Sequence, residues 1–319
     1  MYLEYYELKE EPFRLTPDPH FLHLSGPHQN ALTVLLEGIL YRKGLVMITG
    51  PIGTGKTTLV HTALKMLTDV SKQKMPIRSA LMFNPTLTRD EFLEMMLEDF
   101  EVSCPSASKP KRLLALQQML LETQRQGGTA VLFIDEAHLL TSELLEEIRL
   151  LGNADTHNEK LLQIVLSGQP ELVTMMNRRE LSALQQRIAA RASLRPLNLP
   201  EVRAYVGERL HFAGLQGSSP FGAGSLEQVL HFSTGVPRLI NLLSDACLTL
   251  GFKAQQRTIL PDLVEEAAIS LGLVAPTPAI SDLEKKVLPA PVAAASSTPR
   301  SIVDTLIETM KQSREMAVR

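Results

Sequence analysis

One short segment limits what this chain can fold into. Gly50-Pro-Ile-Gly-Thr-Gly-Lys-Thr57 fits the pattern G-x-x-x-x-G-K-[ST], directly after the apolar run Leu45-Val-Met-Ile-Thr49. The residues from Thr57 to Leu67 then read as a helix. A glycine-rich turn between a buried strand and a helix start is the setting in which this pattern cradles phosphates. The glycines Gly50, Gly53 and Gly55 carry no Cβ, so successive backbone N–H groups can curl around an anion. Pro51, Ile52 and Thr54 complete the turn, and the helix start at Lys56, Thr57 and Thr58 adds its partial positive charge. Lys56 is expected on the β- and γ-phosphates of ATP, and the Thr57 hydroxyl on Mg2+.

The rest of the chain tells what surrounds that turn. At about 150 residues per domain, 319 residues predict two folded units. Leu45–Thr49, Ser79–Phe83, Ala130–Ile134 and Leu162–Leu166 are short and largely apolar, as strands covered on both faces are. A fifth candidate, Ala192-Ser-Leu-Arg-Pro-Leu197, is broken by proline and reads as an edge strand. Helices lie between them. Thr88-x-x-Glu91 is a capping box, Gly127-Gly128 closes the helix of Arg112–Arg125, and Gly152 closes that of Ser142–Leu151. This alternation predicts an α/β fold, a parallel P-loop sheet sandwiched by helices, over residues 1–199. From 200 to 272 only helical patterns remain (Glu201–Ala213, Leu226–Phe232, Pro237–Phe252, Asp262–Leu271), which predicts a small all-helical lid domain. Residues 273–300 are rich in Ala, Pro and Ser and read as a linker. Residues 301–319 regain helical spacing through Ile302, Val303, Leu306, Ile307 and Met310. That tail reads as a helix that folds back or frays, or as a docking peptide for a protein partner.

Further chemistry sits at the strand ends. Val131-Leu-Phe-Ile-Asp135-Glu136 has the form of a Walker B segment. Asp135 is expected to hold Mg2+, and Glu136, aimed the other way by the strand pleat, to polarise the attacking water. His138 is taken for a structural contact. After the fourth strand, Ser167 and Gln169 both qualify to touch the γ-phosphate or the lytic water, and the spacing does not choose between them. Phosphoryl transfer also gains from cations on the developing charge. Leu184-Gln-Gln-Arg187-Ile-Ala-Ala-Arg191 reads as a helix whose i and i+4 arginines share one face, so Arg187 first and Arg191 second are candidates for a finger reaching a neighbouring subunit. Arg238, at the helix start of Gly235-Val-Pro-Arg238, is a candidate to reach back over the nucleotide.

Charge and targeting narrow the setting. The net charge of −3 excludes a generally basic nucleic-acid coat while leaving room for a local basic groove. Lys109-Pro-Lys-Arg112 and Arg178-Arg179 are the candidate phosphate contacts, with solvated loop charges as the plainer reading. Cys104 and Cys247 lie in no CxxC or Cys/His cluster and read as buried thiols in a reducing compartment. The N-terminus is too charged and aromatic for a signal peptide, and no apolar run approaches the ~18 residues of a bilayer span. A cytoplasmic protein is expected.

Taken together, these segments resemble an AAA+ ATPase, and more narrowly the ATPase domain of the ExeA/GspA (general secretion pathway protein A) type. The likeness rests on Tyr5-Tyr-Glu-Leu-Lys-Glu-Glu-Pro-Phe13, Pro17-Asp-Pro-His-Phe21, Gly50–Thr58, Leu132-Phe-Ile-Asp-Glu-Ala-His138, Leu161–Leu172, Gln186-Arg-Ile188 and Ser233–Asn241. It implies a RecA-like core with a helical lid, ATP hydrolysis, and a homo-oligomeric ring of roughly six or more copies. It further assigns sensor 1 to the Ser167–Gln169 turn, the finger to the Arg187 region and sensor 2 to Arg238. The segment around Phe13–Phe21 and the following helix would pack near the adenine. Secretion-type members often continue into a membrane helix and a peptidoglycan-binding domain, and neither is found in this sequence. Two functions are expected on this footing: an ATPase that drives or regulates an envelope assembly (secretion, pilus or exopolysaccharide), or a transposition regulator that assembles on duplex DNA.

Overall fold

A computed structural model describes residues 2–15, 25–73, 75–83, 86–104, 108–155 and 159–273. The linker and tail, and the Pro17–Phe21 part of the N-terminal signature, lie outside the described residues. In chain order the elements are α1 (Tyr2–Tyr5), α2 (Gly26–Leu40), β1 (Leu45–Thr49) and α3 (Lys56–Gln73). Then come β2 (Ile77–Met82), α4 (Arg89–Asp99), α5 (Lys109–Arg125), β3 (Thr129–Ile134) and α6 (Ser142–Leu151). The series continues with β4 (Leu162–Gly168), α7 (Glu171–Met176), α8 (Ser182–Gln185) and β5 (Ile188–Ser193). It ends with α9 (Leu199–Phe212), α10 (Ser225–Ser233), α11 (Pro237–Lys253) and α12 (Pro261–Ser270). Two compact units result among the described residues: 25–195, and 2–15 together with 196–273.

The first unit is built on a five-stranded parallel sheet of order β2-β3-β4-β1-β5. Every residue of β1, β3 and β4 is buried, whereas β2 and β5 are only partly covered, as edge strands are. The pleat sorts the strands' side chains by parity. Leu45 and Met47, Ala80 and Met82, Leu132 and Ile134, and Ile164 and Leu166 face one way into a single cluster with Phe92 and Met96 of α4 and Leu116 and Leu120 of α5. Residues of the other parity, Val131, Phe133, Asp135, Val165 and Ser167 among them, face the opposite side. Burying a side chain such as Phe92 or Phe133, both fully enclosed, contributes about 2–3 kcal/mol. The Thr88–Glu91 capping box forms at the start of α4.

The fifth strand departs from expectation. β5 runs from Ile188, earlier than the Ala192–Leu197 candidate, and takes in residues that read as helix. Arg191 therefore pairs opposite Met47 of β1 on the exposed sheet edge, and Arg187 lies in the turn after α8. The two arginines share no helix face. Pairing with β1 outweighs the helical propensity of an Ala-rich stretch, because it satisfies a row of backbone groups that β1 would otherwise leave bare.

The second unit is helical, with Val202 and Val206 of α9, Val229 of α10, Ile240 and Leu243 of α11 and Val264 of α12 in its core. Its unexpected member is the N-terminal segment. Tyr6, Leu8 and Phe13 are buried in this core, and Phe13 meets Phe221 edge-on at 6.3 Å between ring centroids. The Tyr2 hydroxyl donates to Asp245 at 2.6 Å, the Lys9 amide to the Ala213 carbonyl at 2.7 Å, and Arg209 to the Pro12 carbonyl at 2.7 Å. The signature read as part of the nucleotide core is thus built into the helical unit, and Phe13 is spent on packing there. Sequence proximity to the P-loop carried no information about this long-range burial. Of the two cysteines, Cys247 is buried and its thiol is pushed up to about 12 by desolvation, while Cys104 is only half-buried.

The turn from α10 to α11 depends on Gly235, which has φ +77° and whose carbonyl accepts from the Leu197 amide at 2.8 Å. A Cβ there would stand 2.1 Å from the Leu197 oxygen. Gly235→Ala should cost about 2 kcal/mol or more and lower the thermal unfolding midpoint. An unchanged midpoint would mean that the turn relaxes freely.

Candidate functional site

The P-loop leaves β1, which lies between β4 and the edge strand β5; the chain goes from β1 to the far side of the sheet and from β4 to the other, so the direction of progression reverses there. Such a switch point opens a crevice at the carboxyl ends of the strands. Gly53 and Gly55 take φ +78° and +94°, backbone that a side chain resists. A Cβ on Gly50 would lie 2.9 Å from Leu194. Among the described residues, no backbone carbonyl accepts from the amides of Gly53, Gly55, Lys56, Thr57 or Thr58. These donors, at the start of the long helix α3, make a cradle that fits a phosphate group.

Lys56 is buried, and its ammonium donates to the carbonyls of Gly50 at 2.8 Å and Pro51 at 3.0 Å. Burial holds its pKa below the usual lysine value, although the carboxylates of Glu136, Asp135 and Glu171 pull the other way. Neutral carbonyls are modest partners for a desolvated cation, so an anionic phosphate oxygen is the better one.

Asp135 joins three segments. Its Oδ2 accepts from the Thr57 hydroxyl at 2.7 Å, and its Oδ1 from the Ser167 hydroxyl at 2.8 Å and the Glu136 amide at 3.0 Å. The sheet register explains the meeting. Phe133 pairs with Val165, so two residues on, Asp135 comes opposite Ser167 on the same face. Hydroxyl and carboxylate oxygens side by side are the donor type that Mg2+ takes, and in this respect the residues fit the ion.

Glu136 is aimed differently from what the pleat suggests. The strand ends at Ile134, and Glu136 adopts φ +51° as the residue before a short 3-10 turn, Ala137–Leu139. Its Oε2 lies 3.3 Å from His138 Nδ1. Gln169 does not join the Asp135 group; its amide lies 2.9 Å from His138 Nε2. Ser167 and Gln169 thus have separate partners. Arg187 donates to the Arg149 carbonyl at 3.0 Å and to Asn153 Oδ1. It lines a cavity of about 100 Å3 with Lys43, Arg149 and Lys160. Arg238 begins α11 in the helical unit. Two of the candidate DNA contacts are occupied internally: Lys109 pairs with buried Glu147 at 2.7 Å, and buried Arg112 with Glu94 at 2.6 Å and the Asp90 carbonyl. They are not free loop charges.

One residue of the site escapes sequence reading. His28, buried near the start of α2, bonds Ser25 Oγ through Nδ1 at 2.6 Å and the Thr54 carbonyl through Nε2 at 2.8 Å. It buttresses the P-loop from behind, and a Cβ on Gly55 would come 3.2 Å from its ring. The only local signal was a polar ring on a helix start, which has no motif. His28→Ala should weaken binding of a fluorescent ATP analogue about tenfold, by freeing the Thr54 turn. Unaltered affinity would contradict the buttress.

Fold and site together define a P-loop protein with the AAA+ fold, and an AAA domain model matches residues 39–176. The chain is related to general secretion pathway protein A of Aeromonas hydrophila: 37% identity over 276 residues, covering 85% of this chain and 49% of that protein. The chain thus spans about half the length of the curated relative it matches, and the resemblance drawn from the motifs holds. Among solved structures it is similar to Drosophila ORC bound to DNA (TM-score 0.66, 17% identity, 86% of this chain and 67% of that one). It is also similar to Cdc6p from Pyrobaculum aerophilum (TM-score 0.61, 16% identity, 80% and 71%). At these identities the likeness concerns the fold. No helix among the described residues is long and apolar enough to cross a membrane.

Proposed function

We propose that this protein hydrolyses ATP with Mg2+ and, as a cytoplasmic homo-oligomeric ring, drives or regulates assembly of an envelope system through protein partners. The observation that carries the catalytic part is the junction of Thr57, Asp135 and Ser167 beside the buried ammonium of Lys56. Lys56 exchanges its loop carbonyls for phosphate oxygens. Thr57 and Asp135 hold Mg2+, which when bound supplies electrostatic stabilisation of charge on the phosphate oxygens. Glu136 accepts a proton from the attacking water, oriented with help from the Ser167–Gln169 turn. Arg238 responds to the nucleotide from the helical unit. The envelope role rests on the relationship to general secretion pathway protein A. A DNA-associated role keeps less support, since Lys109 and Arg112 have internal partners and Lys111, Arg178 and Arg179 remain as exposed candidates. Salt-dependent duplex binding in the presence of ATP would replace the first reading with the second.

Sheet register supports a trans-acting Arg187. Ile188 pairs with Leu45, the first residue of β1, whereas the P-loop follows Thr49. At ~3.3 Å per residue, Arg187 sits a whole strand length from its own P-loop. An arginine there serves a neighbour's γ-phosphate rather than its own. Arg191, midway along an exposed edge strand, is the weaker candidate.

Two experiments test this reading. Glu136→Gln should retain ATP binding while turnover falls by about a hundredfold or more, read as phosphate release; normal hydrolysis would remove Glu136 as the base. Arg187→Ala and Lys56→Ala subunits should each be inactive alone and regain hydrolysis when mixed, because one supplies the P-loop and the other the arginine. No gain on mixing would count against a finger in trans.

A further inference from the structure

Two polar atoms in the site face each other without a bond. Among the described residues, Glu136 Oε2 and His138 Nδ1 are both buried and lack a hydrogen-bond partner, although they stand only 3.3 Å apart. The distance allows a bond; the alignment does not. Buried polar atoms in native proteins are nearly always matched, so a facing unmatched pair calls for an explanation.

The other side of the imidazole supplies one. The Gln169 amide nitrogen, a donor, lies 2.9 Å from His138 Nε2, so Nε2 accepts and the neutral ring carries its proton on Nδ1, toward Glu136. With the amide turned over, the neutral ring would set a lone pair against the carboxylate, which is repulsive. The contacts therefore select one order: Gln169 donates to His138, and His138 presents N–H to Glu136.

This chain of groups begins at the phosphate cradle. The Gly50 amide donates to the carbonyl of Gly168, the last residue of β4, at 3.2 Å. Gln169 comes next in sequence. A Cβ on Gly168 would stand 3.2 Å from the His138 amide, so the β4 end and the 3-10 turn are in close contact. The φ of +51° at Glu136 sets where its side chain starts, and the orientation of the carboxylate is left to its neighbours. His138 is the neighbour that the geometry offers.

We propose that His138 is the positioning residue for the Glu136 carboxylate, receiving the placement of the β4 end through Gln169 and passing it on through Nδ1–H. The proposal rests on Glu136 as the general base. A small rotation of the carboxylate converts the 3.3 Å approach into a charge-assisted hydrogen bond. In the sequence, His138 read as a structural contact; its two ring nitrogens give it a directional task.

The test measures kcat, KM for ATP and affinity for a fluorescent ATP analogue in the full chain and its variants. His138→Ala should lower kcat, referred to the concentration of nucleotide-binding sites so that an unfolded fraction is not counted, by about tenfold while KM and nucleotide affinity stay within about twofold. His138→Asn, whose amide nitrogen stands where Nδ1 does, should recover about threefold or more of the loss, and His138→Gln, which reaches toward Gln169 instead, should remain slow. An unchanged kcat in His138→Ala, a loss of affinity in parallel with kcat, or Asn performing no better than Ala would each overturn the proposal. Glu136→Gln keeps the two readings apart. If it still turns over, the base assignment fails and the premise with it; if it is inactive while His138→Ala is not impaired, the relay alone fails.

Discussion

The carboxylate of Asp135 is the point on which the nucleotide-binding unit converges. It is buried, and it accepts hydrogen bonds from Thr57 on α3, Ser167 on β4 and the Glu136 amide. An unpaired carboxylate in such a place would carry a large desolvation cost, so the three donors are a condition of its being there. They can meet it only if β4 lies between β1 and β3. That order puts the end of each strand beside the next: β1 runs into the P-loop, β4 supplies Ser167, and β3 supplies the acid. The long connection from β1 to β2 at the far edge, which leaves room for the later strands, is therefore a requirement of the site.

The same sheet separates two ends with different tasks. At the carboxyl end are the cradle, the buried ammonium of Lys56 and the Glu136–His138–Gln169 group. At the amino end, before β5, Arg187 lines a cavity with three other cations. Parallel strands force this polarity, because every β-to-α turn falls at one end and every α-to-β turn at the other. The helical unit adds a second organisation: its core is completed by residues before 17, so the chain leaves that unit, builds the sheet and returns. Tyr6, Leu8 and Phe13 tie the first residues to α9–α12, and the connection is one of packing as well as of covalent order.

Much of this was legible because it is local. The strand, glycine turn and helix around Lys56 are consecutive; so are the apolar run and acids at Asp135, the capping box at Thr88 and the four helices after Leu199. The less legible features all need a partner distant in sequence. The run Ile188–Ser193 looks helical until β1 is beside it, and then edge pairing decides. His28 carries no motif, since what marks it is a carbonyl at Thr54. Lys109 and Arg112 read as loose charges until Glu147 and Glu94 are brought to them. The choice between Ser167 and Gln169 turned into a division of labour once the register set Ser167 against Asp135 and the turn set Gln169 against His138.

By itself, then, the sequence determined the class of fold, the phosphate cradle and the acidic pair, because a Gly-rich turn, a helix start and an apolar strand each follow from neighbours within a few residues. The tertiary structure decided which donors hold Asp135, where Arg187 and Arg191 stand, what surrounds Glu136, and to which unit the N-terminal aromatic residues belong. Those depend on strand order, register and burial, and such contacts are set by the free energy of the whole packed unit rather than by any segment of it.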